Sequence, residues 1–381
     1  MTQRRMNMNE LMRRQKPKSL RSLFAAAAVV ALVAALAAGS AACRPPAADP
    51  AAAAAGPAID AEGVNNDFYD NEPFVDLTLE AIEILGEIAV PGPVDLGALP
   101  LRQVLVREAP TTAEGHAEFV GAYVYQGYSL FDILRERILK KKNEAEFAPI
   151  IDLMVVVENA AGEAAVFSWG EIFYPRVLHR IIVARRAAPI VPTKTGDRWP
   201  MPSQARIVAA DDLVADRTID GPVRITVLSA PVSFPTEQGL SPLRSDSFRI
   251  LAGDAVKATI RDMPAGLAVR TMPSVFYGRG RGFHGINVFE GVLLREVLKA
   301  VLPSGPEGLR RGYVVAAGAD GYRAVITASE LANRNDNGEF LLCDRGEGDG
   351  GRFTIYPGPD FFSDRAVKAL TEIRVLRYGS D

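Results

Sequence analysis

The sequence predicts an α+β fold: two tandem copies of one domain, each a mixed β-sheet with short helices. Three observations predict it. A phrase of aromatic, any residue and glycine runs twice into an amphipathic stretch, at Tyr125-Gln126-Gly127 and at Phe289-Glu290-Gly291. A hairpin pattern ending in a Glu-apolar corner follows each phrase, with the corners at Glu171-Ile172 and Glu330-Leu331. An Asp-Arg pair then precedes a last apolar strand, at Asp216-Arg217 and at Asp364-Arg365.

Each element has its own reason. The aromatic ends a strand, and glycine turns the chain at little steric cost. Apolar residues then recur at helical spacing, Phe131, Leu134 and Ile138 in the first copy and Leu294, Val297, Leu298, Val301 and Leu302 in the second. Ser129 and Asp132 form a helix-opening capping box. Met154–Val157 leads through Gly162 to Val166–Ser168, and Val314–Ala317 leads through Gly321 to Val325–Thr327; both read as hairpins. The offset between copies is 164 residues at the glycines, 159 at the corner glutamates and 148 at the Asp-Arg pairs. Offsets that change only between elements are the mark of loop insertions in a duplicated domain. With the glutamates assigned to different domains, no site shared between them is expected.

This order resembles the oxidoreductase molybdopterin-binding domain of the sulfite-oxidase-like family. Asp320-Gly321-Tyr322 matches that family's hairpin, and Gly358-Pro359 with Arg365-Ala366-Val367-Lys368 matches its closing turn. The resemblance covers about residues 255–377 well and about 85–230 more loosely. It implies molybdopterin as a cofactor, with the metal held by a cysteine thiolate before the aromatic phrase. The corresponding segments, Leu101–Tyr123 and Val256–Phe283, contain no cysteine. Neither Arg107 nor Met272 is an equivalent anchor for a metal that calls for a soft thiolate.

The first 42 residues read as a signal peptide: seven basic side chains, then an apolar run from Leu23 to Ala38. Ser40-Ala41-Ala42-Cys43 follows and resembles a bacterial lipoprotein junction, with Cys43 as the lipidated residue, although Ser40 stands where leucine is usual. Ordinary cleavage after Ser-Ala-Ala, or retention as a membrane helix, are the alternatives; the run is slightly short for a span. The expected location is the periplasmic side of the cell envelope, lipid-anchored, with a soluble secreted or periplasmic form as the alternative. From Cys43 onward the chain carries 36 basic and 45 acidic residues, a net charge of −9, which argues against nucleic acid as a partner. The only other cysteine, Cys343, follows Phe340-Leu341-Leu342 and reads as a small packed hydrophobe.

Residues 43–78 read as an Ala/Pro-rich tether with an acidic-aromatic lead-in carrying Phe68, Tyr69 and Phe74. Domain one is expected over 79–230, a proline-bearing linker over 231–247 and domain two over 248–381. Domain one carries a basic, proline-rich insertion over Arg185–Pro202, a structured surface loop or a pocket lip.

Gly280-Arg281-Gly282-Phe283-His284-Gly285 matches the dinucleotide fingerprint in form only. Ile286-Asn287-Val288-Phe289 alternates like a strand, whereas the fingerprint must open a helix. The stretch instead reads as a glycine loop on which Arg279 and Arg281 can grip an anion. No two of His116, His179 and His284 stand at i, i+4, so no metal site is expected. In the family the closing turn lies near the pterin. The second copy keeps Arg365 and Lys368, whereas the first has Asp220 in the lysine's place. The candidate cofactor-binding residues are therefore Arg279, Arg281, His284, Arg365 and Lys368; no catalytic residue is expected. The functional expectation is an exported, lipid-anchored protein that binds a small ligand or a redox partner protein and carries no cofactor. A molybdopterin-dependent oxidoreductase with its cofactor in domain two is the alternative.

Overall fold

The computed structural model describes residues 72–237, 239–346 and 350–380. The expected signal peptide, Cys43, and the tether up to residue 71 lie outside the described residues. In chain order the first half holds β1 (Val75–Asp76), β2 (Glu83–Gly86), β3 (Gly92–Pro93), β4 (Arg102–Glu108), β5 (Gly121–Ser129) and α1 (Leu130–Leu134). It continues with β6 (Leu153–Asn159), β7 (Ala164–Ser168), α2 (Trp169–Phe173), β8 (Ile181–Pro189), β9 (Arg206–Ala209), β10 (Ile219–Asp220) and β11 (Pro222–Ser229). The second half holds β12 (Phe248–Ala252), β13 (Ala255–Ile260), β14 (Val269–Gly278), β15 (Gly282–Leu293), α3 (Leu294–Leu298) and α4 (Gly305–Arg311). It ends with β16 (Gly312–Gly318), β17 (Arg323–Thr327), α5 (Ala328–Ala332), β18 (Phe340–Cys343), β19 (Thr354–Pro357) and β20 (Leu370–Arg377).

The expected pair of tandem sulfite-oxidase-like α+β domains is corrected by this arrangement. The protein is mostly β, 43% strand and 13% helix, with four sheets set as the blades of a β-propeller. The helical stripes on which the α+β expectation leaned end early: α1 and α3 are five residues each. Short apolar runs do not distinguish a single helical turn from a longer helix.

The blades are of two kinds. The order β3-β2-β11-β6-β7 in one sheet repeats as β13-β12-β20-β16-β17 in another. Both contain one parallel pair, β2 with β11 and β12 with β20. The order β9-β8-β5-β4 likewise repeats as β19-β18-β15-β14. The described residues belong to one compact unit. A core cluster crosses the halves, joining Met154, Val156 and Val166 to Tyr313, Val315 and Val325. Phe234, from the stretch expected as a linker, is buried in the same cluster.

The repeated glycines do not turn the chain. Gly127 and Gly291 lie inside β5 and β15, where a Cβ would stand 2.0 Å from the Val183 carbonyl oxygen and 2.3 Å from that of Leu342. Their role is close approach of the neighbouring strand. The helix starts follow as expected in part: the Ser129 hydroxyl accepts from the Asp132 amide at 3.0 Å. Asp132 does not return the bond to the cap backbone; its carboxylate accepts from the Ser129 hydroxyl instead, at 2.9 Å. The full reciprocal boxes sit at the corners, Ser168 with Glu171 and Thr327 with Glu330.

The lead-in packs on the first half, with β1 paired to β8 and Phe74 under the Arg186 guanidinium. The insertion begins as strand, since β8 runs to Pro189, and Trp199 then donates to the Ile190 carbonyl at 2.9 Å.

Candidate functional site

Two groups of charged residues stand out, and the duplication relates the halves of each. The first is a buried cluster where the halves meet. Arg217 binds Asp212 through two nitrogens, at 2.8 and 2.6 Å, and Glu171 at 2.9 Å. Arg365 binds Asp360 at 2.8 and 2.6 Å and Glu330 at 2.6 Å. The offsets are the 148 and 159 residues seen in the sequence, so the two arrangements are copies. They touch: Arg365 donates to the Ser168 hydroxyl of the other half at 3.0 Å, and the Thr327 hydroxyl reaches Glu171 at 3.4 Å. Glu171 and Glu330, assigned by sequence to separate domains, are therefore neighbours. Burial is the main cause that pushes the Glu171 carboxyl up to about 7; Arg217 pulls it down, while Glu330 and Asp212 push it further up. Arg365 is 1% exposed, with its nitrogens committed to these partners, so it does not line a cavity.

The second group surrounds a cleft in the second half. The turn between β14 and β15 carries Arg279, Gly280 and Arg281. It is pinned to the closing turn: the Arg279 amide donates to Asp364 at 3.0 Å, and the Tyr322 hydroxyl donates to the Asp364 carbonyl. The cleft between them has a volume of about 320 Å³, and Arg279, Arg281, His284 and Lys368 line it. Asp320 and Asp364 line it too, two carboxylates beside the two arginines and the lysine. Through His284 and Lys368 it adjoins a second space of about 270 Å³ with Arg345 and an aromatic wall of Phe276, Phe289 and Tyr356. Phe289 and Tyr356 stack with ring centres 3.8 Å apart.

In the first half the corresponding residues pair with one another. Arg206, standing where Thr354 stands in the second copy, binds Glu108 at 2.9 Å and Asp220 at 2.7 Å. Tyr125, the counterpart of Phe289, donates to Glu108 at 2.7 Å. Asp220, the counterpart of Lys368, completes the internal pairing. Of the five residues expected to bind a cofactor, four thus gather at one cleft, and the fifth, Arg365, is a buried strut. Sequence reasoning missed Arg345 and the aromatic wall. Their signal is weak, since an alternating strand pattern does not say which face closes on a cavity.

A metal–pterin held by thiolate does not fit this cleft. Its lining holds no sulfur, and among the described residues no group of His, Cys, Asp or Glu is arranged to hold a metal. Cys343 is buried against Phe289, Leu293, Leu341 and Tyr356, where burial pushes its thiol up to about 12.

No family model matches the chain, and no curated protein matches it. Among solved structures it is similar to the sulfane dehydrogenase SoxCD of Paracoccus pantotrophus, at 12% identity over 77% of this chain and 76% of that one, with a TM-score of 0.27. A similarity at that level assigns neither fold nor activity.

Proposed function

We propose that the protein is an exported, lipid-anchored binding protein without catalytic activity of its own, and that its ligand is a small anion held in the second-half cleft. One observation carries the reading. In one copy of the duplicated scaffold the corresponding residues are paired internally as Arg206–Glu108–Asp220, while in the other a cleft is lined by Arg279, Arg281 and Lys368. Guanidinium groups on an exposed turn suit a phosphate-like anion, which they meet with two parallel hydrogen bonds. Anchoring through Cys43 would hold this cleft near a membrane surface.

Titration calorimetry with inorganic phosphate and pyrophosphate tests the cleft. Saturable binding is expected, weakened roughly tenfold by Arg281→Ala, about 1.4 kcal/mol, and weakened again by salt. Absence of saturable binding, or binding indifferent to Arg279→Ala and Arg281→Ala, overturns the reading. Metal and pterin analysis of protein from its native host addresses the oxidoreductase alternative: stoichiometric molybdenum or extractable pterin defeats the non-catalytic assignment.

A further inference from the structure

The β14–β15 ribbon has two unlike faces. Across it Val275 pairs with Ile286, Pro273 with Val288 and Tyr277 with Phe283, and cross-strand partners share a face. On this outer face Val275, Phe283, Ile286 and Val288 are 60–76% exposed. Exposed Phe361 extends it, with its ring centre 5.8 Å from that of Tyr277. The side chains between them, Phe276 and Phe289, turn to the inner face and pack with Tyr356. Arg345 and Gly350, on either side of residues 347–349, lie on that inner side as well. Arg345 is over Phe289, and Gly350 stands against Lys368, which lines the space beside Phe276 and Phe289.

The duplication supplies a comparison within the chain. Val124, the counterpart of Val288 at the offset of 164, is buried. Phe119, the counterpart of Phe283, has its ring against Trp199, with centres 5.1 Å apart. The charge differs as well. The link between β4 and β5 carries Glu114 and Glu118 and no arginine or lysine, whereas that between β14 and β15 carries Arg279 and Arg281. Both arginines are exposed, Arg279 with Asp364 4.0 Å away. From Val269 to Leu293 the ribbon carries Arg270, Arg279 and Arg281 against one carboxylate, Glu290, in a chain that is acidic from Cys43 onward.

We infer that this outer face docks on an anionic phospholipid bilayer. Val275, Ile286, Val288 and Phe283 enter the acyl boundary, and Arg279 and Arg281 meet headgroup phosphates. A contiguous exposed apolar face marks an interaction surface, and the charge selects its occupant. The cations stand at one end of the apolar face, next to Tyr277 and Phe283. A bilayer offers the same order, phosphates at the rim of an apolar layer, with aromatic rings favoured at the boundary. Long guanidinium side chains reach the headgroups while their stems stay with the apolar surface. The inference does not rest on an anion occupying the cleft.

The test uses the chain from residue 43 onward with Cys43→Ser, which keeps every described residue and carries no lipid. Ile286→Cys is labelled there with a nitrobenzoxadiazole dye, and buried Cys343 stays unlabelled. With vesicles of equal parts phosphatidylglycerol and phosphatidylcholine, the emission should shift to shorter wavelength and be quenched by brominated acyl chains. The same dye at Val90→Cys, in the first half, should not respond. Arg279→Ala with Arg281→Ala should weaken the vesicle response roughly thirtyfold. Val288→Asp should weaken it at least tenfold with the melting temperature unchanged; Phe283→Ser makes the same test should Val288→Asp fail to fold. No shift, an equal shift with pure phosphatidylcholine, or a response indifferent to these changes overturns the inference. So does slow labelling of Ile286→Cys without vesicles, since another part of the chain would then cover the face. Dye burial that grows with protein concentration alone overturns it too, since a second copy would be the cover. Saturable phosphate binding without vesicle docking leaves the cleft reading standing, and docking without phosphate binding leaves this one.

Discussion

Arg365→Met is the most informative single change. The side chain lies at 1% exposure with two nitrogens on Asp360, one on Glu330 and a further bond to Ser168. Methionine fills most of the volume but leaves two carboxylates in the interior without their counter-charge. Breaking a buried pair from one side costs about 3–5 kcal/mol. For a cooperative unit of this size, 1 kcal/mol moves the melting temperature by roughly 2 °C. The expected fall is therefore about 6–10 °C at neutral pH, read by calorimetry and by urea titration. It should shrink in acid, where the stranded carboxylates take up protons. A triple variant, Arg365→Met with Asp360→Leu and Glu330→Gln, should recover most of the loss, because a buried ion pair replaced on both sides is near neutral. Phosphate binding should persist wherever the protein is folded. A variant within about 1 kcal/mol of the parent that no longer binds anions would refute the reasoning and return Arg365 to the cleft.

Other perturbations probe the remaining steps. A carboxyl raised in the fold binds more protons folded than unfolded. Glu171, pushed up to about 7 from the usual 4.5, therefore contributes stability that is full below about pH 4.5 and lost as pH rises through about 7. Glu171→Gln keeps the helix cap and should flatten the difference in urea midpoint between pH 5 and pH 8. Gly127→Ala and Gly291→Ala each drive a methyl into a neighbouring carbonyl oxygen and should cost at least about 2 kcal/mol by urea titration. Cys343, with its thiol pushed up to about 12 by burial, should resist thiol reagents at pH 8 in a Cys43→Ser chain and react only on unfolding. The second half expressed alone over residues 231–381 should lack a sharp melting transition, since the core of Tyr313, Val315 and Val325 is completed by Met154, Val156 and Val166.

Much of the local grammar was legible. The hairpins, their corner glutamates and the Asp-Arg turns all stand where the spacing places them, because period-2 alternation and capping residues act over a few positions. What the sequence did not carry was arrangement. The phrase around Gly291 predicted a turn because glycine's commonest use is conformational; here the strand continues, and what matters is the Leu342 carbonyl, contributed from about fifty positions away. The glutamates were assigned to separate domains because nothing local records that Ser168 and Arg365 meet across the halves. At the cleft, Arg279, Arg281, His284 and Lys368 were found from one loop and one turn. Arg365 was drawn in with them because a motif names neighbours in sequence, and its side chain points the other way from that of Lys368.

Duplication also explains why the two sites have opposite fates. A buried Arg–carboxylate cluster at the joint is constrained by both halves at once, since Arg365 completes the cap of the first half while Thr327 reaches Glu171 of that half. A change in one copy is therefore felt by the other through these two contacts. Among the described residues no hydrogen bond or ion pair ties Arg206, Glu108 or Asp220 to the second half. There Arg206 could take the place that Thr354 holds in the other copy, and Asp220 the place of Lys368, without disturbing the second half. The first copy holds ion pairs there, and the second lines its cleft with Arg279, Arg281 and Lys368. Coupling at the centre and freedom to diverge away from it are why a ligand is proposed in the second half, on the side of the β14–β15 turn.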